Sequence, residues 1–308
     1  AEKLDDQIRR AVVEIGTDAI KARGEPLPWP TLHAAIHAKL ASAGILGKVA
    51  EDDDGGSSTL DRIAEQVEAA LDDSAFVRLA GGDSRAELWW LAFPEGAESP
   101  LSDRVEVAAH EVLRDSLGMT EDDYTARLYA GFPGTLTPGA ELVGACLRSY
   151  GSEPTPGYWQ LRPEDMPDVR QPERRQIIEH LQTLGRRLGY RTEAKAPFDA
   201  AWLEGGQVRA VFVVHWQAMV GDALALSEHA VGARPYLVIP GGRAALVSHK
   251  LAHNPLWQRT VDEYGWWFIK YRHVRKLVEQ GEIDEYTLRT IVGLDPIVER
   301  EVAQIPLF

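Results

Sequence analysis

The run Trp266-Trp267-Phe268-Ile269-Lys270-Tyr271-Arg272-His273-Val274-Arg275-Lys276 interleaves four firm positive charges with aromatic rings. Lysine and arginine contact phosphate and exposed rings stack on bases, so Lys270, Arg272, Arg275 and Lys276 form a candidate nucleic-acid surface. Read as a strand, Lys270, Arg272 and Val274 share one face and Ile269, Tyr271 and His273 the other. The competing reading is an edge strand whose basic residues are solvated or pair with the acidic N-terminal half. His215, between Val214 and Trp216, reads either as a half-buried side chain or as a base. His229, His249, His253 and His273 lack zinc-type spacing, and the four-residue step from His249 to His253 lacks the glutamate of HExxH. No GxxxxGK[ST] or GxGxxG loop is present, which argues against a nucleotide-driven engine. Cys146 is the single cysteine, so an internal disulfide and a cysteine-built metal site are excluded.

Charge narrows the partners. The chain has 308 residues and a net charge of −14. Residues 1–100 carry 10 Lys and Arg against 19 Asp and Glu, residues 101–160 carry 4 against 9, and residues 161–308 carry 19 of each. A field of this sign opposes nonspecific coating of DNA, while local basic patches on the neutral C-terminal half remain able to bind it. A hydrophobic content of 44% and a charged content of 26% are those of a globular protein with a sizeable core. No apolar run approaches the ~18 residues that span a membrane. The first residues, Ala1-Glu2-Lys3-Leu4-Asp5-Asp6, lack the character of a signal peptide, and a cytoplasmic location is expected.

The elements that would position the chemistry are clearest between Pro172 and Pro240. Arg174 to Tyr190 has helical spacing and carries Arg174, Arg175, Arg186 and Arg187. Phe198 to Trp202, a Gly205-Gly206 turn and the apolar run Val208 to Trp216 predict two strands of a hairpin. A second helical pattern leads into the strand Pro235 to Ile239. This order of helix, strand, turn, strand, helix and strand resembles the core of the PD-(D/E)XK, or restriction-endonuclease-like, superfamily. That family holds Mg²⁺ with an Asp at the start of its second strand and a (D/E)xK on its third. The resemblance makes Asp199 the strand-two Asp and Glu179 the helix acid, so these two would be the metal ligands of an active site. It implies that Arg174, Arg175, Arg186 and Arg187 add positive charge near the active face, with Arg174 and Arg175 as nucleic-acid contacts. On the third strand the aligned residues are Val213-Val214-His215, so the acid is missing and His215 stands where the Lys belongs. Gln217, two residues on, shares that strand face and is a second substitute for the Lys. Lys250, Glu204 and Asp222 are further side chains that could enter such a site.

The N-terminal half predicts helices over Leu4–Arg23, Leu32–Ala43 (capped by Thr31) and Leu60–Leu71, an acidic Gly/Ser loop from Glu51 to Ser58, and two strands around Phe76–Leu79 and Leu88–Leu91. Three helices and a hairpin are the order of a winged helix. The order recurs over Leu101–Leu117, Asp122–Ala130 and Glu141–Ser149 (capped by Thr137), followed by a strand from Gly157 to Leu161. The expected fold is therefore a multidomain α+β or α/β chain. A winged-helix-like unit at 1–98 and a second winged-helix-like or connecting helical unit at 99–165 would precede a restriction-endonuclease-like mixed sheet flanked by helices at 166–308. The helix Leu60–Leu71 offers Arg62 among Asp61, Glu65 and Glu68, which favours protein docking over entry into the major groove, with Arg78 and Arg85 as wing contacts to DNA. A helical tail is expected from Tyr286 to Ile297, and the apolar end Ile305–Phe308 could dock on the domain or on a partner.

The resemblance implies a DNA-binding or adaptor protein with a degenerate nuclease-like domain, working without a metal, in prokaryotic restriction, phage defence or repair. One alternative is an active Mg²⁺-dependent DNA nuclease using Glu179, Asp199 and Gln217. The other is a scaffold whose acidic N-terminal half recruits a basic protein partner.

Overall fold

A computed structural model of the chain describes residues 2–47, 59–71, 75–79, 87–290 and 292–294. The chain divides into two compact units. One comprises Ala1–Val112, Thr120–Val143 and Ala252–Pro255, the other Leu113–Met119, Gly144–Leu251 and Leu256–Phe308. This division differs from the expected boundaries at 98 and 165. The helix 121–130 belongs with the first unit, and the strand ending at Leu161 belongs with the second.

In the first unit, helix α1 (Glu2–Arg23) buries Ile8, Val12 and Ile20. A two-residue strand β1 (Leu27–Pro28) leads into α2 (Trp29–Ser42), which buries Leu32, Ile36 and Leu40, and α3 (Thr59–Leu71) buries Ile63 and Val67. These side chains close one core with the antiparallel strands β2 (Phe76–Leu79) and β3 (Leu88–Leu91), paired with Phe76 opposite Leu91. Strand β1 was not foreseen; it pairs with β3, Leu27 opposite Trp89. Thr31 is not the cap of α2, which begins at Trp29 and carries Pro30 in its first turn. The fixed φ of proline suits a first turn, where N–H groups have no intrahelical acceptor. Helices α4 (Leu101–Arg114), α5 (Glu121–Ala130) and α6 (Ala140–Tyr150) follow; α4 ends in the second unit, and α6 passes into it at Gly144. Thr137 does not cap α6 either: its hydroxyl donates to the Phe132 carbonyl at 3.0 Å. The Glu51–Ser58 loop, the Arg62 side chain, Arg85 and the segment Ile305–Phe308 lie outside what is described.

The second unit holds the hairpin β4 (Gly151–Thr155) and β5 (Tyr158–Leu161), then α7 (Pro167–Arg187). Three strands follow: β6 (Arg191–Lys195), β7 (Phe198–Glu204) and β8 (Gln207–Val214). A short helix α8 (Val220–Leu224) precedes β9 (Arg234–Ile239), and α9 (Ala244–His253) and α10 (Pro255–Tyr264) precede β10 (Trp267–Lys270). The five strands form one mixed sheet in the order β10-β9-β8-β7-β6, with β7 antiparallel to both neighbours and β8, β9 and β10 mutually parallel. Asp199 therefore lies near a strand start beside the apolar run, and α7 packs on that sheet through Ile177, Leu181 and Leu184. The run leaves the sheet at Val214, two residues before the expected end. The β7–β8 turn consists of Gly205 and Gly206 at φ 56° and 84°, the backbone that a two-residue hairpin loop demands.

The segment 266–276 is not one strand. It pairs through Lys270 and then turns into helix α11 (Tyr271–Glu279). Tyr271, Val274 and Leu277 are spaced three apart and are all buried, so helical burial wins over strand alternation. The tail helix α12 (Glu285–Thr290) is shorter than the expected one, since residues 292–294 are already irregular. Among the described residues no helix is long and apolar enough to cross a membrane.

Gly185 explains how closely α7 approaches the sheet. A Cβ there would stand 2.5 Å from Thr192 Cγ2 and 2.5 Å from Trp202 Nε1, and that indole donates to the Leu181 carbonyl at 3.0 Å. In an open helix, Gly→Ala gains about 1 kcal/mol. Here Gly185→Ala is expected to destabilise by about 1–3 kcal/mol, because overpacking outweighs propensity. A urea midpoint equal to or above that of the parent chain would contradict this account.

Candidate functional site

Because β7 runs against β8, β9 and β10, its first residues share an edge of the sheet with the last residues of the other three. Asp199 thus comes beside Val214, and helix α11 starts from the same edge at Tyr271. Extending the pairing of Ala200 with Phe212 by one step places Asp199 opposite Val213. Directly opposed side chains lie about 5 Å apart, so an acid at position 213 would face Asp199. Val213 is instead buried at 4% exposure.

Both carboxylate oxygens of Asp199 are engaged. Arg174 Nη2 donates to Oδ1 at 2.5 Å, and the Val214 N–H donates to Oδ2 at 2.7 Å. Arg174 also donates through Nε to the Val214 carbonyl at 2.5 Å. A guanidinium on α7 therefore supplies the positive charge next to Asp199. The pair is half-buried, with 33% of the Arg174 side chain and 22% of the Asp199 side chain exposed.

The other expected site residues disperse. Glu179 is exposed, in a surface hollow it shares with Glu173, Arg175 and Arg275. His215 is held by its backbone: its N–H donates to the Val238 carbonyl at 3.0 Å, and its carbonyl accepts from the Tyr271 hydroxyl at 2.8 Å. Gln217 is half-buried in the loop after β8. Lys250 does return to that loop, where its buried ammonium donates to the Ala218 carbonyl at 2.8 Å. Glu204 pairs with Arg209 at the far end of β7, five residues or roughly 17 Å from Asp199. Asp222 is exposed on α8.

The nucleic-acid candidates divide in the same way. Lys270 is buried at 1% exposure, and Arg275 pairs with Glu173, so neither projects freely as a strand-face cation. Arg272 and Lys276 are exposed and four apart on α11, hence on one helical face. Arg175 is exposed on α7, which packs against α11. Arg272 also lies along the turn after β9, where a Cβ on Gly241 would stand 3.6 Å from its Nη1.

Beneath this edge runs a charge network that sequence reasoning missed. Arg275 and Arg170 both pair with Glu173, Arg170 reaches Asp165 at 2.7 Å, and Arg243 binds the same Asp165 oxygen. Arg243 also donates to the Ser149 carbonyl, and its guanidinium lies 3.5 Å from the Tyr150 ring centre. Burial alone would lower the Arg170 pKa, yet Asp165 and Glu173 together hold it above the usual arginine value. Burial, reinforced by Glu173, raises the Tyr271 pKa and keeps the phenol protonated as the donor to His215. The i,i+3 step from Arg170 to Glu173 was visible in the sequence, but the burial that makes it matter was not.

This donor set does not fit Mg²⁺, which takes several oxygen ligands in near-octahedral geometry. Each Asp199 oxygen already accepts a hydrogen bond, one of them from the Arg174 guanidinium, and valine occupies the position where a second carboxylate would face it. What the edge can do chemically is present cations: Arg272, Lys276 and Arg175 outside, and a guanidinium-filled interior behind them. No protein-family model matches the chain, and no curated protein is significantly similar to it in sequence.

Proposed function

We propose that the chain is a DNA-binding or adaptor protein whose second unit is a degenerate restriction-endonuclease-like domain that no longer cuts. The observation that carries this reading is the closed pair of Asp199 and Arg174 opposite a valine. Cleavage by this superfamily needs carboxylates that hold a metal and so lower the pKa of a water. With arginine paired to Asp199, water activation is lost, and phosphate attraction is left to the exposed Arg175, Arg272 and Lys276. The αβββαβ run from α7 to β9 supports the family likeness, as do the exposed Arg175, Arg272 and Lys276 on neighbouring helices. Roles in restriction, phage defence or repair follow from that likeness.

The first unit, read as a winged-helix-like module, fits protein docking better than groove entry. The exposed positions of α3 include Asp61, Glu65 and Glu68, which repel phosphate, and Arg78 on β2 is paired with Glu87. The acidic surface of this unit suits a basic protein partner.

The deciding experiment is a gel-shift and cleavage series on duplex, nicked and single-stranded DNA, with and without Mg²⁺ or Mn²⁺. DNA should be shifted without metal and remain intact with it, and Asp199→Ala should leave the cleavage background unchanged. Metal-dependent cutting that disappears in Asp199→Ala would sink the proposal and establish the nuclease alternative.

A further inference from the structure

At the end of the sheet opposite Asp199, a cleft of about 660 Å³ opens over the aromatic face of the strands. One aromatic ring stands on or beside each strand there, and the rings form a continuous series. Tyr190, before β6, stacks on Trp202 at 5.6 Å and 16°, and Trp202 meets Phe212 at 4.6 Å. Phe212 stacks on Tyr236 at 4.9 Å and 13°, and Tyr236 and Trp267 meet in a T-shape at 5.7 Å. Helix α7 covers the middle of this series; the cleft exposes its ends, Tyr190 and Trp267, over a floor of Trp202, Ala210 and Tyr236. Ala210 matters because a larger residue between Trp202 and Arg234, its partners on the neighbouring strands, would fill the floor.

The rim is polar and of both signs. Arg234 is held with its guanidinium 4.0 Å from the Trp267 ring centre, and Arg209 pairs with Glu204. Arg209 is the extra residue of a β-bulge: Trp202 pairs with Ala210 and Leu203 with Val208, which leaves Arg209 without an opposite partner in the ladder. Bulges re-aim a side chain, and here the bulge turns an arginine to the cleft mouth. Asp262 and Glu263 line the same mouth.

We propose that this cleft binds a nucleoside phosphate, with the base against Tyr190 and Trp267 and the phosphate at Arg234 and Arg209. Flat π surfaces match a base, planar guanidinium groups match phosphate oxygens, and the carboxylates at the mouth accept from the exocyclic amines of a base. The volume suits a ligand of mononucleotide size. The same chemistry could come from a free nucleotide or from the terminal nucleotide of a single strand. The proposal does not rest on the reading of the Asp199 edge.

Calorimetric titration of the full chain with AMP, GMP, CMP and UMP, and separately with a single-stranded hexanucleotide, tests it. At least one probe should bind, and Arg234→Ala and Tyr190→Ala should each weaken that binding by about tenfold or more. Tyr190→Phe keeps the ring and should retain the affinity, which separates an absent stacking surface from a failure to fold. Arg127→Ala, an exposed change on α5 and outside the cleft, should bind as the parent does. Binding by the mononucleotides identifies a free ligand; binding by the hexanucleotide alone, with the same sensitivity to Arg234→Ala, identifies a strand end. Absence of heat with every probe at about 1 mM, or affinity unchanged in both alanine variants, would overturn the assignment.

Discussion

Asp165→Ala is expected to lower the stability of the second unit by about 3–5 kcal/mol, the cost of leaving buried charge without its partner. Asp165 and Arg243 both have side chains that are 0% exposed, and Arg170 is 9% exposed. Removing the carboxylate takes the ion-pair partner from Arg243, whose guanidinium water cannot reach, and leaves Arg170 with Glu173 alone. Urea unfolding followed by tryptophan fluorescence measures the effect. A loss below about 1 kcal/mol would show that the pair is solvated in solution, as surface ion pairs are. Replacing all three residues together, Asp165→Leu with Arg170→Met and Arg243→Met, should recover much of the loss, because a well-packed apolar set often equals a buried ion network. Recovery of stability with unchanged DNA binding would assign the network to architecture. Recovery of stability without DNA binding would mean that the network holds Arg272 and Lys276 in place from beneath.

The parts of this fold that were legible are those in which apolar spacing decides. Ile8, Val12 and Ile20, or Leu32, Ile36 and Leu40, repeat at helical steps, and burial follows the repeat. Gly205-Gly206 between two apolar runs specified a hairpin because few other residues tolerate that backbone. Strand β6 was missed because Arg191-Thr192-Glu193-Ala194-Lys195 is an edge strand, and edges carry charge that hides the alternation. The segment from Tyr271 onward offered both periods. Its charges suggested a strand face, while the three-residue spacing of Tyr271, Val274 and Leu277 decided for a helix.

At the site, the place of Asp199 was readable but its state was not. Arg174 and Asp199 are 25 residues apart, and their pairing is a tertiary fact with no local signature. The same holds for Lys250, Lys270 and Arg243. Composition assigns such residues to the surface, and only the assembled unit shows them buried. That difference moves the candidate DNA surface from the strand face of Lys270 and Arg272 to the helical face of Arg272 and Lys276.

Replacing Arg175, Arg272 and Lys276 together by alanine is expected to weaken DNA binding by about a thousandfold at low salt, taking roughly 1.5 kcal/mol for each charge-assisted hydrogen bond to phosphate that the variant cannot make. The log–log dependence of affinity on salt should become shallower by about 2.7, since each neutralised phosphate contributes about 0.9. The effect should be alike for unrelated sequences, because phosphate contacts position a protein without reading bases. Lys270→Ala provides the contrast. This side chain is 1% exposed, so its removal should lower the melting temperature and leave the salt slope of the remaining folded protein unchanged. Fluorescence anisotropy on two unrelated duplexes across a salt series resolves the cases. If the triple variant keeps the parent slope while Lys270→Ala reduces it, the buried lysine reaches DNA in the complex. The helical face would then be solvated charge only, and the proposed binding surface would be wrong. If both variants keep the parent affinity, the unit does not use this edge for DNA at all. The acidic first unit, proposed to dock a basic protein, would then be where function has to be sought.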